Sequence, residues 1–179
     1  MRSALLRQPP AAPEWFARHT AIELRSKAPC EFIDITDRLS AIVSRSGISC
    51  GLLHLQTRHT TTGIVVNEHE PLLLEDMREL LDRIAPAKQR YRHDDLTRRT
   101  VNLVPNERRN GHAHGQALVL RASESLHVVN GALWLGRWQR VFFVELDGPQ
   151  ERTLCVSVVG VRRTPGGPPF EGGRDAPPA

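Results

Sequence analysis

Four of the eight histidines lie in polar, turn-rich surroundings: His59 in RHTTTG, His93 in YRHDD, and His112 and His114 in NGHAH. Imidazole serves as a general acid or base near neutral pH without any shift in its pKa, and it is the commonest metal ligand. Three converging imidazoles would leave an open coordination position for water or substrate, as in catalytic zinc sites. Spacing alone does not establish convergence, because none of these segments has a compact zinc signature. The H-x-H of His112 and His114 turns both rings to one face only if that segment is extended. His54 and His127 fall within apparent strands, where a hydrogen-bonded, half-buried histidine is the ordinary reading, and His19 and His69 read as surface residues.

The loop after His59 contains Thr60, Thr61, Thr62 and Gly63. It offers hydroxyls, backbone N–H groups and a flexible glycine to an anionic phosphate, although the same composition makes an ordinary hydroxyl-rich turn. Glu68 and Asp76 are near enough in sequence to join a metal shell or to orient a histidine. Glu145 follows the apolar run 141–144, where an ionised carboxylate is costly unless paired, and Arg140 or Arg152 is at hand to pair with it. Trp134 reads as core, whereas Trp138 and Gln139, beside a glycine two residues earlier, are placed to line a pocket.

Positioning these groups requires a sheet. The segments 20–28 and 32–35 carry strand signals, and 36–47 reads as a short amphipathic helix with Thr36 as N-cap and Gly47 as stop. Residues 48–58 and 64–66 read as strands on either side of the threonine loop. Pro71 opens a second helix that carries Glu75 and Asp76 near its positive end, and Pro86 closes it. The stretch 88–114 has no clear periodicity and is long enough to suggest a functional loop. Runs at 116–121, 126–129, 132–135, 140–146 and 153–161 read as strands, and Asn130-Gly131 is a type I′ hairpin signal. The expected fold is α+β, a mostly antiparallel sheet or sandwich with a few helices on one face. One domain is expected over 16–163, between flexible tails at 1–15 and at 164–179, which is rich in proline and glycine.

The 179 residues suffice for one core, and 40% hydrophobic with 25% charged residues is a globular composition. No apolar run is long enough for a membrane span and the first residues lack a secretory pattern, so a cytoplasmic location is the default expectation. Cys30, Cys50 and Cys155 are widely separated and read as free buried thiols. The net charge of +4 is almost all arginine, scattered except for local concentrations at 90–99 and at Arg108-Arg109. These flank histidines and could bind a phosphorylated small molecule as readily as a nucleic-acid backbone; a solvated basic surface is the ordinary reading of any one arginine, and the partner expected is a phosphorylated small molecule, not a nucleic acid.

Taken in order, HTTTGIVVNEHEPLLLED, YRHDD, NGHAH and NGALWLGRWQRVFFVELDGP resemble the successive signatures of the YjbQ-like family. The resemblance implies a small α+β protein that forms a homotrimer, and an activity resembling a secondary thiamine-phosphate synthase. It also implies that His59, His93 and His114 are the site histidines, with Glu68, Asp76, Asn110, Trp138, Gln139 and Glu145 as further polar or pocket positions. In that activity a pyrimidine pyrophosphate joins a thiazole phosphate. A divalent metal, zinc or magnesium, held by His59, His93 and His114, would act with Arg58, Arg92 or Arg109 to offset the charge of the departing pyrophosphate. Alternatives are a metal-dependent hydrolase of a phosphorylated or ester metabolite, or a non-catalytic phosphate-metabolite or nucleic-acid binder. The chain departs from the family pattern at Arg137, Gln150 and Gly115, and in extra residues near 101–108.

Overall fold

The computed structural model describes residues 14–162. The flexible tails expected at 1–15 and 164–179 therefore lie outside the described residues, except that Trp15 already belongs to a strand. In chain order the elements are β1 Trp15–Arg25, β2 Glu31–Asp34, α1 Thr36–Ser46, β3 Cys50–Thr57, β4 Thr62–Glu68, α2 Pro71–Ile84, a 3-10 turn Arg92–Asp94, α3 Gly111–Ala117, β5 Ser123–Val129, β6 Ala132–Leu133, β7 Gln139–Glu145 and β8 Glu151–Val161.

The strands form two antiparallel sheets, β1-β8-β3-β5-β6 and β2-β7-β4, and an isolated bridge pairs Ile64 of β4 with Arg121, just before β5. The alternation in β3, β5 and β8 is that of half-buried strands: Leu53, Leu55, Leu126, Val128, Leu154, Val156 and Val158 turn inward while their neighbours face out. β7 behaves differently. Its run Val141–Val144 is buried on both faces, with Val141 and Phe143 packing toward the larger sheet and Phe142 and Val144 toward α2 and α3. The small sheet is thus a middle layer between the large sheet and a pair of helices, which makes an α+β sandwich.

The local signals explain most boundaries. Gly47 adopts φ +72° at the end of α1, and Asn130 and Gly131 take φ +52° and +79° in the β5–β6 hairpin. Pro71 starts α2, where Glu70 caps the helix by accepting from the Leu72 and Leu73 N–H groups. Thr36 is the first helical residue of α1 and not its cap. The capping acceptor is Asp34, which takes both the Thr36 N–H (2.9 Å) and its hydroxyl (2.7 Å).

Other expectations are corrected. Residues 116–121 are not a strand: Gln116 and Ala117 end α3, and 118–120 form the turn after it. Trp134 is 42% exposed and so is not core. Cys155 faces solvent, and Cys30 and Cys50 are half-buried, so none of the three free thiols is fully buried. His54 and His127 lie on the outer, exposed face of the large sheet, where the His54 Nδ1 and the Ser125 hydroxyl are 2.9 Å apart. Among the described residues no helix is long and apolar enough to cross a membrane.

Asp34 ties three elements together, because it also accepts from Arg140 on β7 (2.7 Å) and bonds the His69 Nδ1 (2.9 Å). Burial opposes its ionisation, but the hydrogen bonds from Arg140, Thr36 and His69 outweigh it and hold the carboxyl at about 2. Its contribution to stability is complete above pH 3.8 and is lost as pH falls toward 2. Asp34→Asn should lower unfolding free energy at neutral pH by about 1–2 kcal/mol, allowing for solvent screening. It should also flatten the acid limb of the stability curve, as chemical denaturation across pH would measure.

Candidate active site

A buried pair, Glu145 at the end of β7 and Arg152 at the start of β8, organises the site. Glu145 is fully buried, and Arg152 grips it through two hydrogen bonds, Nε to Oε2 at 2.6 Å and Nη2 to Oε1 at 2.7 Å. Burial raises the glutamate pKa, yet Arg152 and the backbone N–H groups of Gly148 and Asp147 outweigh it and hold the carboxyl below its ordinary value. Those two N–H groups reach Oε1 at 2.8 and 2.9 Å and so fix the turn after β7. Glu145 therefore does not line a pocket, as the family pattern implies, because its carboxylate is engaged by protein on all sides. Of the two partners expected from sequence, Arg152 holds it, while Arg140 bonds Asp34 and Asp37.

Arg152 also donates to the Thr61 hydroxyl at 3.1 Å, which extends the clamp into the HTTTG loop. Thr61 and Thr62 are buried, and the Thr62 hydroxyl bonds that of Thr57 at 2.6 Å. A side chain at Gly63 would strike Leu120 within 2.6 Å. The loop is thus built inward as a hydroxyl-rich turn, and of its threonines only Thr60 is exposed for a phosphate. His59 is half-buried, and its Nε2 accepts the Thr153 N–H at 2.9 Å. Burial, then the charges of Arg152 and Arg58, push its pKa down against the opposing pull of Glu145.

On the other side of the turn, Asp147 accepts from the Asn110 side-chain amide at 3.2 Å, and Arg108 approaches its carboxylate to 3.7 Å while donating to the Gly148 carbonyl. Asn110 immediately precedes α3, which raises His114 one turn later. The helix makes the spacing His112-Ala113-His114 divergent, so His112 does not join. His93 comes from the 3-10 turn, which is held against α3 by the Asp94 carboxylate on the Gly111 N–H at 2.9 Å. Only glycine fits there, since a Cβ on Gly111 would lie 2.4 Å from that of Tyr91.

The His93 and His114 rings meet edge to face at 4.6 Å between centroids. Arg99 donates to the His93 Nε2 at 3.1 Å and is itself held by Glu107 at 2.7 Å. Burial, followed by the neighbouring His93 and Arg99, lowers the His114 pKa. Asn110 Oδ1 is buried without a hydrogen-bond partner, an acceptor suited to a ligand's N–H or O–H. A basin of about 510 Å³ in the same segment is lined by Lys88, Arg90, Tyr91, Asp94, Asp95 and Arg109 among others, and neither His93 nor His114 lines it.

The three-histidine metal cage does not form within one chain. His93 and His114 come together, whereas His59 binds the β8 backbone, and the His93 Nε2 lone pair faces a guanidinium, which disfavours a cation there. Among the described residues no three histidine, cysteine, aspartate or glutamate side chains converge as a metal-binding group. Arg58 and Arg92 are exposed near their histidines. Glu68, Trp138 and Gln139 lie elsewhere, at the far end of the β4–β7 ladder, and Asp76 is exposed on α2. Two residues of the site, Asp147 and Arg99, are given no site role by the reading of the sequence. An aspartate just past a buried apolar strand and before a glycine is the available signal for the first, and nothing in the aperiodic loop marks the second.

Both His59 and His114 have pKa values lowered from 6.5, so the unfolded chain binds these protons first as pH drops. Stability from this source is complete above about pH 6.5 and is lost as pH falls through the lower folded values. The urea midpoint should therefore fall between about pH 7.5 and 5.5, and a His59→Gln/His114→Gln variant should lose most of that difference.

A family model for "UPF0047 protein YjbQ-like" matches residues 20–161. The UPF0047 protein of Methanothermobacter thermautotrophicus is 38% identical over 139 residues, 78% of this chain and 90% of that one. The UPF0047 protein of Archaeoglobus fulgidus is 36% identical over 138 residues, 77% and 98% of the two chains. A YbjQ-like protein of unknown function from Sulfolobus solfataricus P2 has a crystal structure that superposes with TM-score 0.73 at 32% identity, covering 82% of this chain and 99% of that one. Two sheets, three helices and an ordered series of motifs agree with these likenesses, and the chain belongs to the YjbQ-like UPF0047 family.

Proposed function

We propose that the chain is a transferase of the thiamine-phosphate synthase type, working at the His93–His114 pair. The single observation that carries this reading is the half-buried His93–His114 pair, carried by the same 88–114 segment whose basin has Lys88, Arg90 and Arg109 on its wall. In the reaction, the C–O bond between a pyrimidine methylene and its pyrophosphate breaks. A C–N bond forms to the nitrogen of a thiazole phosphate, and inorganic pyrophosphate leaves. Negative charge grows on the departing oxygen, so fixed cations and N–H donors aimed at it lower the barrier.

In this reading Arg109 and Arg92 hold the pyrophosphate, with Arg58 nearer His59. His114, whose pKa its surroundings lower, hydrogen-bonds the reacting group, and Asn110, held by Asp147, stands at the start of the helix that carries it. His59, braced on β8, supports the adjoining wall. A divalent ion enters with the pyrophosphate as part of the substrate, because the chain offers no resident three-histidine cage. A homotrimer in the cytoplasm completes the proposal.

Purified protein given both precursors should yield thiamine phosphate, and neither precursor alone should. His114→Ala should reduce kcat/KM by about 10²–10⁴-fold. Hydrolysis of a single phosphorylated precursor would instead support the hydrolase reading. Phosphate-ligand affinity that falls steeply with salt, without turnover, would support a binding protein.

A further inference from the structure

Each nitrogen of the Arg99 guanidinium is committed within the chain. Nε donates to the Val101 carbonyl at 3.3 Å, Nη2 to the Asn102 carbonyl at 2.7 Å, and Nη1 both to Glu107 Oε1 at 2.7 Å and to His93 Nε2 at 3.1 Å. The ion pair is mostly buried, with 14% of the arginine side chain and 12% of the glutamate side chain accessible. Glu107 Oε2 in turn accepts the Val104 N–H at 3.1 Å. Between the two partners the chain doubles back through asparagines at positive φ, Asn102 at +54° and Asn106 at +59°, a conformation that asparagine tolerates better than most residues. The 99–107 loop is thus wrapped around one guanidinium. Arg58, Arg92 and Arg109 are exposed and free to turn toward a ligand, whereas Arg99 is turned inward on a histidine.

That contact dictates the chemistry of the ring. A guanidinium can only donate, and it keeps its proton at any pH the folded chain meets. The imidazole nitrogen that receives it must present a lone pair, so His93 Nε2 carries no hydrogen. In the neutral ring the hydrogen then sits on Nδ1. A second proton would have to enter at Nε2, against the positive charge of Arg99, so the imidazolium form is opposed as well. Among the described residues no guanidinium donates to His114, whose ring meets that of His93 edge to face. The two histidines of the pair are therefore not equivalent.

We propose that Arg99 is a positioning residue that fixes His93 in the Nδ1–H tautomer, making His93 the hydrogen-bond donor of the pair and leaving His114 as its proton acceptor. Glu107 holds the guanidinium to this task through the buried ion pair. The group that faces His93 Nδ1 must then be an acceptor, as a phosphoryl oxygen is and an ammonium group is not. This last step rests on the reading of the His93–His114 pair as the ligand site, and the tautomer does not.

The test is NMR of protein isotope-labelled on its histidine ring nitrogens, at about pH 8, where an ordinary imidazole is neutral. The nitrogen shifts and their couplings to the ring protons report the tautomer, and comparison with a His93→Gln spectrum identifies the His93 signals. In the wild type, Nδ1 of His93 is expected at the shift of a protonated ring nitrogen and Nε2 at that of an unprotonated one. Arg99→Met, an unbranched side chain without a donor, is expected to lose that pattern, with Nε2 moving toward the protonated shift. A wild-type His93 protonated at Nε2 overturns the proposal without recourse to any variant, and so does an Arg99→Met spectrum that keeps the wild-type tautomer. Neither spectrum involves substrate, so failure of the proposed reaction and failure of the tautomer assignment are separately visible.

Discussion

The buried pair of Glu145 and Arg152 is the constraint on which the site depends. Taking two charges out of water costs several kcal/mol per ion after relaxation, and only near-complete hydrogen bonding offsets it. Here the carboxylate receives two arginine bonds and two backbone N–H groups, and the arginine also reaches Thr61. Such a pair is weak evidence of added stability, since well-packed apolar groups of similar volume often do as well. Its specific effect is geometric: it fixes the Asp147 turn on one side and the His59 loop on the other.

That geometry is possible because β7 is buried on both faces and ends in the interior. A strand enclosed by a sheet and by helices carries its terminal carboxylate into low dielectric, where the guanidinium of β8 must meet it. The same low dielectric, with arginines close by, depresses the pKa of His59 and of His114. His59, in the loop after β3, and His114, in α3, are thereby both biased to the neutral form, the first beside Arg152 and Arg58 and the second beside His93 and Arg99. The short helix α3 and the 3-10 turn then bring His93 to His114, and the bare α-carbon of Gly111 permits the approach.

Much of the fold is legible in the sequence because local chemistry and tertiary structure agree. Asn130-Gly131, Gly47 and Pro71 each sit where their backbone preferences require, and the alternation in β3 and β8 matches a one-sided core. Residues 116–121 imitate a strand because Leu118, Val119 and Leu120 form an apolar run that is in fact an exposed turn after a helix. NGHAHGQ, with two glycines and two histidines, gives little helical signal, and its conformation is imposed by Asp94 and by packing under α2. Trp134 has the residue type of a core position, but the β6 strand it follows is two residues long and at the sheet edge, which leaves it accessible. In the site, the family motifs mark His93, His114 and Asn110, which the fold does gather. They do not distinguish Glu145, a buried clamp, from Glu68, an exposed tip, because both appear only as matching carboxylates. His59 is grouped with the other two for the same reason, although its ring is committed to the β8 backbone.

The claim that the buried pair positions the pocket, and does more than hold the chain folded, is tested most directly by replacing it with apolar residues of similar size, Glu145→Met/Arg152→Leu. Calorimetric titration with inorganic pyrophosphate, beside a thermal melt of the same variant, is the measurement. The account predicts a melting temperature close to that of the wild type and an affinity at least tenfold weaker, about 1.4 kcal/mol or more. Unchanged affinity in the folded variant would contradict it.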